Sequence, residues 1–301
     1  MRIFLTGATG FIGSAVVTEL LNTGHEVIGM TRSDAGAAAL TAAGAEPYRA
    51  TLEDPDGIRA GAEAADAVIH TAFDHDFSRF QENCEKDRRV IGALGAALKG
   101  SDRPLLITSG VGMGSAGPGQ LAREDVFNDH HPNPRIASER AGHALLDAGI
   151  NVSVMRLPQV HDTRRQGLIT PLIQIFRDKG LAAYVGDGSN RWSAAHVRDV
   201  AVLYRLAIEH AQPGVRWNAV TEEGVETRRI VETVARGLGI PAVSVTPEAA
   251  AEHLGWMAMF AAMDLPASSE QTRATLGWRP TGPSLLADLD AMDYRTTAAA
   301  E

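Results

Sequence analysis

TGATGFIG, residues 6–13, places glycines at 7, 10 and 13 directly after the apolar run Ile3-Phe4-Leu5. In a strand–turn–helix unit the first glycine permits a tight turn, the second lets backbone approach a pyrophosphate, and the third allows helix to pack closely on strand. The helix N-terminus that follows offers unpaired N–H groups and the positive end of its dipole to phosphates. Glycines at this spacing also mark ordinary turns; their place at the start of a βαβ unit is what points to a dinucleotide. The candidate contacts in the loop are Gly7, Thr9, Gly10, Phe11, Ile12 and Gly13.

Outward from that loop, apolar runs of strand length alternate with segments of helical period through the first 160 residues. Strands are expected at 2–6, 26–30, 46–49, 67–71, 104–109 and 151–157, and helices at about 13–22, 36–43, 55–64, 84–98 and 137–148. Gly24, Gly44, Gly100 and Gly149 fall where left-handed caps end helices. The pattern is that of an α/β fold, a doubly wound parallel (Rossmann) sheet over residues 1–160. After Leu157 Pro and Gly become frequent, strands shorten, and helices are expected at about 170–178, 197–210 and 227–238. Residues 161–301 thus read mostly as a smaller C-terminal substrate lobe over the cofactor, with some segments returning to the core. The alanine-rich end, 297–301, is expected to fray.

Length and charge narrow the function classes. A chain of 301 residues can bury a full core, either as one large α/β domain or as a nucleotide domain with a companion. A net charge of −9, with Lys and Arg scattered singly or in pairs, argues against nucleic acid as a partner. The apolar start breaks at Thr6-Gly7 without a small-residue cleavage region, and no window of about 18 apolar residues spans a membrane. The one cysteine, Cys84, forms no internal disulfide, so a reduced cytoplasm is the expected compartment and a small molecule the expected partner. No histidine or cysteine spacing fits a metal site.

The end of the second expected strand bears on the choice of cofactor. An NAD site usually has an acid there to bind the ribose 2′-hydroxyl, whereas this chain reads GMTRSD, with Thr31 in that place and Arg32 next. An acid would repel a 2′-phosphate; Arg32, with the hydroxyls of Thr31 and Ser33, would bind one by charge-assisted hydrogen bonds. NADP(H) is therefore expected over NAD(H), although Asp34 could still reach the ribose.

TGATGFIG, VIHTA (68–72), LLITSG (105–110), MRLPQVH (155–161), HVRDVA (196–201) and TRATLGWRP (272–280) occur in one order along the chain. In these motifs it resembles the extended or atypical branch of the short-chain dehydrogenase/reductases, the NAD-dependent epimerase/dehydratase family, over nearly its whole length. The resemblance implies cofactor contacts from Thr51 and Leu52 at the adenine, from Thr71, Ala72 and Phe73, and from Pro158 to Val160 near the nicotinamide. It also implies a homodimer through the helices at 84–98 and 137–148. The family's YxxxK motif, in which tyrosine moves the proton and lysine lowers its pKa, falls on NPRIASERAGHALL, with Arg135 at the tyrosine and Glu139 at the lysine. The family's serine falls on Ser109 or Gly110, and its asparagine on Asp87.

Cofactor binding and proton transfer are thereby separated. With no tyrosine, a ketone needs another proton source: a side chain, a water or the substrate itself. Ser109, Arg135 and Glu139 are the catalytic candidates; Glu139 serves if its pKa is raised, or else pairs with Arg135 one helical turn earlier. Of the histidines, His75 and His161 are alternative acids, His70 reads as structural, and His130 and His131 read as solvated. Cys84 is expected to open its helix, with Glu82 and Glu85 raising its pKa. The stretch LGWMAMFAAM (254–263), with Phe73, Phe77, Tyr184 and Trp192, favours an apolar substrate over a nucleotide sugar; Arg191 reads as a solvated loop arginine. The function expected is an NADPH-dependent reductase of a small, fairly apolar carbonyl, imine or activated alkene. A nucleotide-sugar-type epimerase or dehydratase, and a non-catalytic NADP-binding sensor, are the alternatives.

Overall fold

In the computed structural model, which describes residues 1–295, the first strand alternates its side chains between two cores. Ile3 and Leu5 face one helical layer and Phe4 the other, all fully buried. Such two-sided burial is the mark of a parallel sheet covered by helices on both faces. The same alternation runs through Val68 and Ile69, Leu105 and Leu106, and Val154 and Met155. The alanine-rich tail at 297–301, expected to fray, lies outside the described residues.

The main sheet comprises β1 (Arg2–Thr6), β2 (Glu26–Thr31), β3 (Glu46–Arg49), β4 (Ala67–His70), β5 (Leu105–Gly110) and β6 (Val152–Leu157). The intervening helices are α1 (Phe11–Asn22), α2 (Asp34–Ala43), α3 (Pro55–Glu63), α4 (Phe80–Leu98) and α5 (Ile136–Asp147). Beyond β6 come β7 (Gln159–His161), α6 (Ile169–Lys179), β8 (Ala182–Val185), β9 (Arg191–His196), α7 (Val197–His210), β10 (Arg216–Asn218) and β11 (Glu222–Glu226). The chain continues through α8 (Thr227–Leu238), β12 (Ala242–Val245), α9 (Ala250–Leu254), α10 (Ala258–Ala261), α11 (Glu270–Leu276) and α12 (Leu285–Ala291).

Strand order in the main sheet is β10-β6-β5-β4-β1-β2-β3, all pairs parallel. This is the doubly wound arrangement, and its order reverses between β1 and β4, where the crevice beyond the strand ends lies. The seventh strand comes from late in the chain, and α7 packs on α1, so residues 196–219 build the nucleotide core. Two small sheets, β11-β9-β7 and β12-β8, and a separate apolar core around Phe176, Trp192, Val231 and Leu254 form the lobe. Among the described residues no helix is long and apolar enough to cross a membrane.

Differences from the sequence reading sit at element ends. Helix α1 begins at Phe11, with Gly10 as its N-cap, because the third glycine packs within its first turn. Helix α4 begins at Phe80, extended by a 3-10 turn at Phe77–Arg79 whose Ser78 N–H is capped by the Asp76 carboxylate. Cys84 therefore lies inside α4 and does not open it. Pro158, which has no N–H to donate, separates β6 from β7, and β7 pairs with β9 of the lobe. Gly24, Gly44, Gly100 and Gly149 all adopt positive φ, as a left-handed cap requires.

Candidate cofactor and substrate site

The glycine loop leaves room only for backbone. Gly7 has φ +70°, and a Cβ there would lie 2.7 Å from Thr71 Oγ1 and 2.8 Å from the Ala72 nitrogen. A Cβ on Gly13 would collide with the Gly7 carbonyl oxygen. Thr71 donates its hydroxyl to the Thr6 carbonyl at 2.7 Å, locking the ends of β1 and β4 together beside the loop. No side chain caps the N-terminus of α1, and Phe11 and Ile12 turn their side chains onto the core. The first-turn N–H groups thus face a cradle that a side chain would fill, which fits a dinucleotide pyrophosphate.

At the end of β2, Thr31 is buried, and the Ser33 hydroxyl caps α2 by accepting from the Gly36 N–H at 3.1 Å. Asp34 meets Arg49 at 2.8 Å, and Arg49 also donates to the Arg32 carbonyl at 3.0 Å. The Arg32 guanidinium itself is exposed and has no partner among the described residues. Beyond β3, Thr51 is exposed and Leu52 packs against the core. Lys86 of α4 joins this loop to the one after β4, reaching Glu53 at 2.5 Å and Asp74 at 2.9 Å.

Arg135 and Glu139 are spaced to pair with one another, and they do not. Arg135 Nη1 donates to Asp87 at 2.6 Å and to the Ser138 hydroxyl, and Nη2 donates to the Thr108 carbonyl at 2.9 Å. Its guanidinium lies over the Phe73 ring, 4.1 Å from the centroid. Glu139 is held instead by Arg156, Nε to Oε1 and Nη2 to Oε2 at 2.8 Å each, and by Arg216 at 3.1 Å. Arg156 also donates to the carbonyls of Arg123 and Val126, so the fork closes over the carboxylate, which is fully buried. This corrects the proton-transfer role expected for Glu139: both of its oxygens are engaged by arginines and neither reaches solvent. Sequence reading missed Arg156, although a cation in the middle of the apolar run VSVMRL was the available signal.

Asp87 is the hub of the second network. It accepts from the Ser138 hydroxyl at 2.5 Å and from Arg135, and meets His70 Nε2 at 2.9 Å; His70 Nδ1 lies 2.6 Å from the Thr6 hydroxyl. Burial alone would raise the Asp87 pKa, but Arg135, His70 and Ser138 outweigh it and hold the carboxyl well below the usual range. Ser109, at the end of β5, is buried, and its hydroxyl has no hydrogen-bond partner among the described residues. Tyr204 reaches the Thr108 hydroxyl at 2.7 Å, but it is fully buried, and burial pushes its pKa up, so it offers no proton to a ligand.

The aromatic residues divide between site and lobe. Phe73, His75, Phe77 and Phe80 follow β4 and touch one another, with Phe73 5.3 Å from His75 and 6.2 Å from Phe80. Trp256 stacks on Phe77 at 4.8 Å, and Phe260 meets Phe77 edge-on at 5.7 Å. Trp192 and Tyr184, expected beside them, touch none of these rings and lie in or against the lobe core, on which Phe77 and Phe260 also pack. Partial desolvation among the surrounding rings and the nearby Arg135 charge push the His75 pKa down.

The remaining candidates are engaged elsewhere. His161 is buried, with Nδ1 2.7 Å from Asp288 of α12; burial lowers its pKa more than Asp288 raises it. His130 is exposed, and His131 accepts from the Asn133 N–H at 3.1 Å. Arg191 opens β9 and is not in a loop; its side chain is partly solvated, as expected, and also holds Asp264, with Nη2 at 2.8 Å. Glu82 and Glu85 pair with Arg79 and Arg88, so burial, not these acids, pushes the Cys84 thiol up to about 11. The native protein should therefore resist alkylation by iodoacetamide at neutral pH and react stoichiometrically once denatured; mass spectrometry showing modified native protein would contradict this.

Residues 3–219 match the model of the NAD dependent epimerase/dehydratase family. The chain belongs to that family. An uncharacterized protein of Schizosaccharomyces pombe is 43% identical over 98% of this chain and 100% of its own length. A UDP-glucose 4-epimerase of Streptomyces lividans is 28% identical over 98% of this chain and 96% of its own. The crystal structure of the Thermus thermophilus UDP-glucose 4-epimerase with NAD superposes with a TM-score of 0.75 at 22% identity, covering all of both chains, a likeness of fold. Members of the epimerase/dehydratase family are NAD(P)-dependent oxidoreductases, epimerases and dehydratases.

The three residues that the sequence resemblance sets against the family's asparagine, tyrosine and lysine are all charged: Asp87, Arg135 and Glu139. Each has its counter-ion: Asp87 with Arg135, and Glu139 with Arg156 and Arg216. A buried charge left without its partner would cost several kcal/mol.

Proposed function

We propose that the chain is an NADPH-dependent reductase of a small, fairly apolar carbonyl compound, imine or activated alkene. The observation that carries this reading is the paired state of the Arg135 and Glu139 positions: neither supplies a base to take a proton from an alcohol. Sugar epimerisation or dehydration begins with such an oxidation; carbonyl or imine reduction needs the same proton in reverse and takes it from water, whereas hydride addition to an activated alkene places the proton on carbon, so the activated alkene is the substrate favoured. In this proposal Gly7, Gly10 and Gly13 seat the pyrophosphate, Thr71 to Phe73 line the adenosine side, and Pro158 to Val160 lie along the nicotinamide. When bound, the reduced dinucleotide supplies hydride. Ser109, with its unpartnered hydroxyl, orients the nicotinamide or the substrate, and the rings of Phe73, Phe77 and Trp256 favour an apolar body.

Preference for the phosphorylated cofactor rests on Arg32, whose guanidinium is unpartnered, and on Asp34, which is turned to Arg49. A charge-assisted hydrogen bond to phosphate is worth about 1.5–3 kcal/mol, so Arg32→Ala should weaken NADPH roughly 10- to 100-fold and leave NADH nearly unchanged. Fluorescence titration of both cofactors reads this directly, and equal losses would remove the assignment. Turnover is read on a panel of ketones, imines and enones. Absence of binding by either cofactor overturns the proposal, and binding without turnover supports an NADP-responsive sensor instead.

A further inference from the structure

Arginine carries five N–H donors and cannot release a proton in a protein. Folding uses three at Arg135, to Asp87, Ser138 and the Thr108 carbonyl, so Nε–H and one Nη2 hydrogen have no acceptor among the described residues. The guanidinium plane is fixed from two sides, by Asp87 at its edge and by Phe73 against its face. From Phe73 a continuous run of rings passes through Phe80 and Phe77 to Trp256, which stacks on Phe77 at an interplanar angle of 18° and is still 43% exposed. Free donors on a fixed cation therefore adjoin one end of an aromatic run whose other end, Trp256, is exposed.

We propose that Arg135 is an oxyanion-binding residue that takes a planar, conjugated carbonyl compound of the enone type, with its oxygen on the guanidinium and its flat body along the aromatic run that begins at Phe73; a phenolate mimics the enolate that hydride addition to such a compound would give. The proposal rests on the reductase reading of the same site and narrows its substrate class. Because arginine gives up no proton, an enolate formed here by hydride addition to the C=C would keep its charge on oxygen until water protonates its α-carbon. That suits an anion delocalised over a conjugated system and disfavours a simple alkoxide. A cationic iminium is repelled. The neighbouring charges are already matched, Asp87 within its network and Asp74 with Lys86, so no second anion competes for the free donors. His75, between Phe73 and Phe77, adds an edge to the ring surface.

The test uses para-nitrophenol, whose phenolate is followed by its absorbance, bound to the full-length protein with and without saturating NADPH. The bound phenol should ionise about one pH unit lower than the free phenol, meaning roughly tenfold tighter binding of the phenolate. The Arg135→Met/Asp87→Asn double variant, which removes both charges and strands neither, should abolish that preference, and Arg135→Lys should retain part of it. Trp256→Ala should weaken phenol and phenolate alike. Failure of para-nitrophenol to bind, an unshifted ionisation, or a shift that survives in the double variant overturns the proposal. The NADPH titration on the same samples is scored separately. Cofactor binding without phenolate preference removes only the oxyanion site, whereas phenolate preference without cofactor binding removes only the reductase reading.

Discussion

Glu139→Ala should destabilise the protein by about 3–5 kcal/mol, the cost of breaking a buried ion pair from one side. For a chain of this size that corresponds to a fall in Tm on the order of 10 °C, measured by circular dichroism or calorimetry. The size follows from what remains behind. Arg156 is fully buried and Arg216 nearly so, and both would face a cavity where two carboxylate oxygens now meet them. Arg156 also ties down the 123–126 segment through two carbonyls, so the damage spreads to the loop before α5. Glu139→Gln keeps the shape and one acceptor oxygen and should lose less stability, with the pH profile of any turnover unchanged. A variant that kept its Tm while that profile moved would restore Glu139 to proton transfer.

Gly13→Ala should cost more in function than in fold. The added methyl would occupy the space of the Gly7 carbonyl oxygen, and Gly7 has nowhere to retreat, because its own φ is left-handed and Ala72 backs it. Overpacking of this kind costs about 1–3 kcal/mol, and relieving it moves the turn that is proposed to seat the pyrophosphate. Dinucleotide affinity should drop by roughly 100-fold or more, equivalent to about 3 kcal/mol. Gly92→Ala in α4 is the matched control: nothing lies within 4 Å of its added Cβ, so cofactor affinity should not change and helix propensity should improve. Intact cofactor binding in Gly13→Ala would remove the loop as the binding element.

The particular residues show where sequence reading succeeded and where it stopped. The inner strands β1, β4, β5 and β6 were legible because parallel strands buried on both faces are apolar runs rich in Val, Ile and Leu; the edge strand β3, Glu46–Arg49, carries no such run and was placed by its position between two helices. The seventh, β10, is three residues long and charged at its start, and carries too little pattern to be read alone. Spacing within one helix suggested that Arg135 and Glu139 pair. The fold brings Asp87, 48 residues away, to Arg135, and Arg156 and Arg216, 17 and 77 residues away, to Glu139. The aromatic residues were legible as a composition, but only packing showed that Phe73 and Trp256 join through Phe80 and Phe77, and that Phe77 lies against the same lobe core as Tyr184 and Trp192.

The glycine turn, the doubly wound core and the unacidic end of β2 were determined by sequence alone. Each depends on neighbours within a few residues: a Cβ that does not fit, an alternation of period two, a missing carboxylate. The ion-pair networks around Arg135 and Glu139, the burial of Cys84 and the aromatic run from Phe73 to Trp256 were decided only by tertiary structure. Their energetics depend on desolvation and on partners far along the chain, and a charge reads the same in sequence whether it lies in water or is matched in the core.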